Sequence, residues 1–124
     1  MKTKASQSQI ELRTILAGLD GTQQLAVFAV INLGVMQSVG AKAMSPDQAT
    51  QRFCHAGNCL YVKRRLKNKL ADEVMSRGVQ LADLFEALPP ARARTELANE
   101  LHAMRALCLK LLRPDKRQTA RQGG

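Results

Sequence analysis

The chain has 124 residues, a length that suits one small domain able to bury roughly two-thirds of its unfolded surface. Apolar residues make up 45% of the chain, which argues against global disorder, and three Phe, one Tyr and no Trp require an aliphatic core. The formal net charge of +9 suits an acidic partner such as nucleic acid, and it equally suits plain solubility.

The cysteine count and the apolar stretches bear on the cellular compartment. The three cysteines are an odd number without disulfide-framework spacing, so we expect reduced thiols and a cytoplasmic protein. The most apolar stretch, residues 25–36, is shorter than the about 20 residues that span a bilayer. Glu11 and Asp20 before this stretch are atypical of a signal peptide. The sequence therefore predicts neither a membrane span nor secretion.

The first two predicted helices lie before residue 41. Ser8 and Glu11 can form a capping box, and four apolar residues at helical spacing follow: Leu12, Ile15, Leu16 and Leu19. A second helix begins near Asp20 or Thr22 and ends at Gly40. It is apolar on nearly every side, so we expect it to be central and buried.

A third and a fourth helix are predicted between residues 45 and 78. Ser45-Pro46-Asp47 is a strong helix start, and that short helix ends around residues 53–55, before a turn at Gly57-Asn58. The fourth helix covers residues 58–77. Its apolar stripe is Cys59, Val62, Leu66, Leu70 and Val74, and Gly78 is the expected left-handed C-cap.

The last helices cover residues 80–88 and 91–112, separated by Pro89-Pro90. Residues 113–124 contain almost no apolar side chain and are expected to form a basic flexible tail. No β-hairpin or repeat signal occurs. The sequence thus predicts an all-α protein in which residues 1–112 form a single compact, bundle-like domain of five to six helices, with no sheet.

Positive charge is concentrated in the fourth predicted helix and in the tail. The candidate contacts for nucleic acid or an acidic partner are Lys63, Arg64, Arg65, Lys67, Lys69, Arg113, Lys116, Arg117 and Arg121. Such side chains bind phosphates with release of condensed counterions. The alternative is a solvated helix face, partly offset by Asp72 and Glu73.

The order of the third and fourth helices invites comparison with a helix-turn-helix, but the details fit poorly. With Gly57 as the turn glycine, Lys63 occupies a position that normally buries a small aliphatic residue. The positive cluster also lies in mid-helix, whereas recognition helices usually read bases from their first turns. Those turns here offer packing residues such as Leu60.

No catalytic, metal or cofactor site is predicted. The potential ligands Cys54, His55, Cys59, His102 and Cys108 contain no C-x-x-C pair, and free cysteines on apolar stripes usually belong to the core. Cys54 and His55 are adjacent and so project about 100° apart on a helix, which argues against a nucleophile and its base. The carboxylates are scattered, and no glycine-rich phosphate loop occurs.

We therefore expect a non-enzymatic helical module that needs no cofactor and has no evident small-molecule ligand. Surplus apolar surface on several helices favours a protein partner or self-association into a homo-oligomer. The alternative is nucleic-acid binding through the basic helix and the tail. With Tyr61 as the only Tyr and no Trp, few side chains can stack on bases, so such binding would be dominated by backbone contacts.

Overall fold

The computed structural model describes residues 9–113, and this part of the chain contains seven α-helices, one π-helical segment and no strand. The elements in order are α1 (Leu12–Ile15), α2 (Gly21–Gly40), α3 (Pro46–Arg52), α4 (Ala56–Tyr61), the π segment (Val62–Leu66), α5 (Lys69–Val79), α6 (Asp83–Ala87) and α7 (Pro90–Leu112). The predicted all-α, bundle-like fold is confirmed. Ser8 and the predicted tail contacts Lys116, Arg117 and Arg121 lie outside the described residues.

The two longest helices, α2 and α7, pack along each other, and α7 also packs against α5 and α6. The core between them is mainly aliphatic, as the composition requires. Its largest members are Phe28 of α2 and Phe53 after α3, both fully buried, with ring centroids 6.4 Å apart. Leu12 and Leu16 close one side of this core from α1 and the residue that follows it.

Helix starts follow the local sequence chemistry. The Asp20 side chain accepts a hydrogen bond from the Gln23 amide at 2.8 Å, and the Gln23 side chain accepts from the Asp20 amide, which completes a capping box at α2. Ser45 and Gln48 form a second box at α3. Helix α7 starts at Pro90, one residue from the predicted boundary. The predicted starts of α2, α3 and α7 are confirmed because caps depend on neighbours within four residues. The predicted first helix is wrong at both ends, since Glu11 is extended and α1 covers only Leu12–Ile15 without a side-chain cap.

The predicted continuous fourth helix is wrong. The chain turns at Lys67, whose φ of 49° and ψ of 48° place it in the left-handed region, and α5 starts afresh two residues later. Asn68 begins the new helix by accepting a hydrogen bond from the Ala71 amide at 3.0 Å. A polar cap thus interrupts an apolar stripe that is continuous in the sequence.

The predicted turn at Gly57-Asn58 is also wrong, because both residues lie inside α4. His55 is the N-cap of this helix, and its Nδ1 accepts a hydrogen bond from the Asn58 amide at 3.4 Å. The connection between α3 and α4 therefore lies at residues 53–55, and it gives no helix-turn-helix with a turn at Gly57.

Gly78 is not a C-cap but an interior residue of α5, which ends at Val79. A Cβ atom at this position would lie 2.6 Å from the Cys54 Sγ atom and 3.4 Å from the Met104 Cε atom. The glycine is therefore required by close packing of α5 against its neighbours rather than by backbone conformation.

Candidate functional site

Asn58 holds the N-terminal segment against the rest of the fold by hydrogen bonds. The residue is buried, with 1% of its surface exposed. Its side-chain oxygen accepts a hydrogen bond from the Leu12 amide at 3.0 Å. Its side-chain nitrogen donates to the carbonyls of Ile10 at 2.8 Å and Phe53 at 2.7 Å. One buried amide therefore connects α4, the end of α3 and the start of α1.

Two further hydrogen bonds hold the same segment. The Ile10 amide donates to the Arg52 carbonyl at 2.7 Å, and the His55 Nε2 atom lies 3.1 Å from the Ile10 carbonyl. Since Nδ1 of His55 accepts from α4, a proton on Nε2 satisfies both contacts. The residues before α1 are thus fixed against α4 by contacts that bridge about 45 positions of sequence.

This attachment forms a cleft of about 600 Å³ between α1 and the helix that runs from α4 into the π segment. It is lined by Glu11, Arg13, Ala17, Gly18, Gln24, Gly57, Asn58, Leu60, Tyr61, Arg64 and Arg65. Arg13 is thereby brought to the same cleft as two members of the predicted basic cluster. The lining contains three guanidinium groups and one carboxylate, so its electrostatic character is cationic.

Arg64 and Arg65 lie in the π segment, in which hydrogen bonds span one residue more than in an α-helix. Single π-helical turns occur frequently at functional sites in proteins. Both arginines are exposed, and Val62 beneath them is fully buried, which anchors the segment to the core.

The other members of the predicted basic cluster do not line this cleft. Lys63 lies 3.5 Å from Asp72 of α5, so part of its charge is offset. Lys67 occupies the left-handed turn, and Lys69 opens α5. Arg113 is exposed just beyond α7. The structure therefore divides the cluster, placing Arg64 and Arg65 at the cleft and the lysines beside it.

Within residues 9–113, the cysteines and histidines form no group of three or more that could hold a metal ion. Burial raises the pKa of the Cys54 thiol to about 12, with a smaller contribution from nearby Cys59. Burial likewise raises the pKa of the Cys108 thiol to about 12. Thiols with such pKa values are protonated and unreactive at neutral pH.

Glu100, which lies one turn after Glu96 on the same face of α7, pairs with Arg77 of α5 at 2.9 Å. The same guanidinium contacts Glu73 at 3.0 Å. These hydrogen bonds raise the pKa of Arg77 above its ordinary value, that to Glu100 more than that to Glu73. Glu100 therefore has a structural role in joining α5 to α7.

Helix α2 has an exposed face that carries no charge. None of its twenty residues is Asp, Glu, Lys, Arg or His. Val30, 57% exposed, lies on this face with Gly34 and Gln37, which follow it at i+4 and i+7. The expectation that this helix is buried on nearly every side is thus wrong for its outer face, although its inner face is central to the core.

Among the described residues, α2 is also the one helix that is long and apolar enough, by length and composition alone, to cross a membrane. In the most apolar 18-residue stretch of α2, 33% of the residues are buried against the rest of the fold. Core helices of soluble proteins show the same length and composition.

The chain matches no protein-family model, and no curated protein or solved structure is similar enough to count as a match. Function is therefore inferred from the two features described above, the cationic cleft and the uncharged face of α2.

Three residues of the cleft are not predicted from the sequence. The sequence places Asn58 in a turn, and its position within an apolar stretch is the available signal of a buried polar side chain. Tyr61 is identified in the sequence only as the single Tyr that could stack on a base, not as part of a cleft. Arg13 gives no signal, because nothing local connects residue 13 to residues 61–65.

Proposed function

We propose that this protein is a non-enzymatic helical module that self-associates through the outer face of α2. The observation that carries the proposal is Val30, a β-branched apolar residue that is 57% exposed at the middle of a twenty-residue helix without charge. Surface helices of monomeric proteins ordinarily place charged residues opposite the core. An uncharged outer face is more typical of a helix that packs against a partner.

A second copy of the chain is the partner that this face favours. Each copy has a net charge of +9, so two copies repel each other wherever charged surfaces meet. The face of α2 contributes no charge of its own to that repulsion, and Arg105 of α7 is the cation that lines the groove beside Gly34 and Gln37. A Cβ atom added at Gly34 would meet no neighbouring group within 4 Å, so the backbone of a second helix has room to approach there.

The test is the molar mass in solution of the wild-type chain, Val30→Lys and Val79→Lys, measured by sedimentation across a range of protein concentrations. Val79 is the matched control, since it is an exposed valine on a different helix, 40% accessible at the end of α5. We expect the wild type and Val79→Lys to form dimers. Val30→Lys should be monomeric because it buries a like-charged pair at the contact.

A monomeric wild-type chain at high protein concentration would overturn this proposal. So would a dimer that is equally stable in Val30→Lys, since the contact would then lie elsewhere. Circular dichroism of each variant establishes that the helices are intact. Binding of the wild type to neutral lipid vesicles with loss on Val30→Lys would assign the face to a membrane instead.

A second candidate function is binding of nucleic acid through phosphate contacts. The specific observation in its favour is that five cationic side chains between residues 63 and 69 are all exposed. Anisotropy titration with generic duplex DNA and with RNA at low and moderate salt tests it. The logarithm of the affinity should fall with the logarithm of salt by about 0.9 for each duplex phosphate contacted. Absence of binding at low salt would exclude this function.

A further inference from the structure

We propose that the cleft between α1 and the π segment binds a nucleoside phosphate, with the phosphate held by Arg13, Arg64 and Arg65 and the base placed against Tyr61. This inference goes beyond self-association. It rests on the second candidate function, nucleic-acid binding, and makes it more specific. It names a site, two residues outside the basic cluster (Arg13 and Tyr61) and the chemical group that binds, a nucleoside phosphate.

The charge of the cleft identifies a phosphate as the ligand group. Three arginines line it, against the single acidic residue Glu11. Within residues 9–113, none of the three arginines forms an ion pair with an acidic side chain. Arginine presents donors in a planar fork that matches phosphate oxygens, and these donors are free to meet an incoming anion.

Hydrogen bonds within the protein hold the walls of the cleft in place. Asn58 uses its side-chain amide to fasten residues 10–12 to α4, and this sets the position of Arg13 opposite the π segment. The Gln24 side chain donates to the carbonyls of Leu16 and Leu19, which fixes the end of α1 to α2. Binding therefore needs little ordering of the backbone, which lowers its entropic cost.

Tyr61 supplies the aromatic surface in the same cleft. It is half-buried, packs on the core from one side and lines the cleft with the remaining surface. Its place at the end of α4, directly before the π segment, puts it within four residues of both Arg64 and Arg65. An aromatic ring next to cationic side chains is the arrangement by which proteins hold unpaired bases and their phosphates.

The test compares two triple variants with the same change in net charge. Arg13→Gln/Arg64→Gln/Arg65→Gln removes the cleft cations, whereas Arg92→Gln/Arg94→Gln/Lys110→Gln removes three exposed cations of α7. The probe is a fluorescent single-stranded oligonucleotide, titrated at several salt concentrations. We expect the cleft variant to bind at least about tenfold more weakly than the α7 variant. Its salt slope should be lower by about 0.7, since the three arginines hold one phosphate and each phosphate contacted on a single strand contributes about 0.7.

Tyr61→Leu and Tyr61→Phe test the base contact in the same assay. Tyr61→Phe keeps the ring and should bind like the wild type, whereas Tyr61→Leu should weaken strand binding by about fivefold or more because stacking is lost. Equal binding by the two variants would overturn the placement of the base. Melting temperatures of all variants confirm that each is folded.

The outcomes separate this inference from the function on which it rests. If the wild type binds strands and the two triple variants bind them with equal affinity, the second candidate function is retained and the cleft proposal is overturned. If the wild type binds no strand at low salt and adenosine monophosphate does not bind either, both are overturned. Where the cleft variant alone is impaired, competition by adenosine monophosphate assigns the phosphate to a free nucleotide, and lack of competition assigns it to a strand.

Discussion

Asn58 satisfies three backbone groups of two chain segments with one side chain, and the described residues contain no buried side-chain nitrogen or oxygen without a hydrogen-bond partner. A buried amide with this many contacts determines which segment packs where, because any other arrangement leaves polar atoms unpaired in the core. At the scale of single residues, the geometry of the cleft therefore depends on Asn58 more than on the arginines that line it.

Replacing Asn58 by Ala should lower the free energy of unfolding by about 2–4 kcal/mol, because the Leu12 amide and the Phe53 carbonyl lose their side-chain partner inside the protein. Asn99→Ala is the control, an exposed asparagine on α7 whose replacement should change stability by less than about 0.5 kcal/mol. Urea unfolding of both variants measures the difference. Equal stability of the two would show that Asn58 is not the anchor of the N-terminal segment.

At the scale of elements, two contacts determine how α5 sits on its neighbours. Gly78 allows the Cys54 sulfur to approach the helix backbone, and Arg77 bridges Glu73 of its own helix to Glu100 of α7. The ion pairs are partly exposed, and pairs of that kind stabilise proteins by about 0–1 kcal/mol. The close approach at Gly78 is therefore the more important of the two for stability.

Gly78→Ala should destabilise the protein by about 1–3 kcal/mol, since the added methyl overlaps a sulfur atom that is itself buried. Gly21→Ala, at the open start of α2, should change stability by less than about 0.5 kcal/mol. Thermal and urea unfolding measure both. The double variant Gly78→Ala/Cys54→Ala should lose less than the sum of the single losses, because the overlapping sulfur is gone. Strict additivity would contradict the packing role of Gly78.

At the scale of the whole molecule, charge is distributed unevenly. Helix α2 carries none, residues 79–90 contain Asp83 and Glu86 but no cation, and the cleft and π segment are strongly cationic. The two proposed activities therefore use separate surfaces and respond to different forces. Association through α2 is apolar and opposed by net charge, whereas phosphate binding is driven by charge.

Raising the salt concentration from about 0.05 M to about 0.5 M should consequently move the two activities in opposite directions. Screening shortens the range of repulsion between copies, so the dimer dissociation constant should fall. Oligonucleotide affinity should decrease by at least about tenfold over the same range. Sedimentation and anisotropy on the same sample measure both. A dimer that weakens with salt would indicate a contact made by ion pairs rather than by the uncharged face of α2.

The sequence by itself determined the helical class of this protein and the starts of α2, α3 and α7. Asp20 with Gln23, Ser45 with Gln48 and the Pro89-Pro90 break act within one turn of backbone, so their effect can be predicted without knowing what packs nearby. The apolar stripes likewise identified core residues such as Leu12, Leu16 and Val74, which are fully buried.

Only the tertiary structure decided the break at Lys67, the packing role of Gly78 and the cleft itself. Arg13 lines the same cleft as Arg64 and Arg65 because Asn58 bonds to a residue 46 positions away, and no pattern of spacing along the chain encodes such a hydrogen bond. The exposed face of α2 could not be predicted from the sequence for the same reason. Its composition is that of a buried helix, and which side lacks a neighbour depends on where the other helices lie.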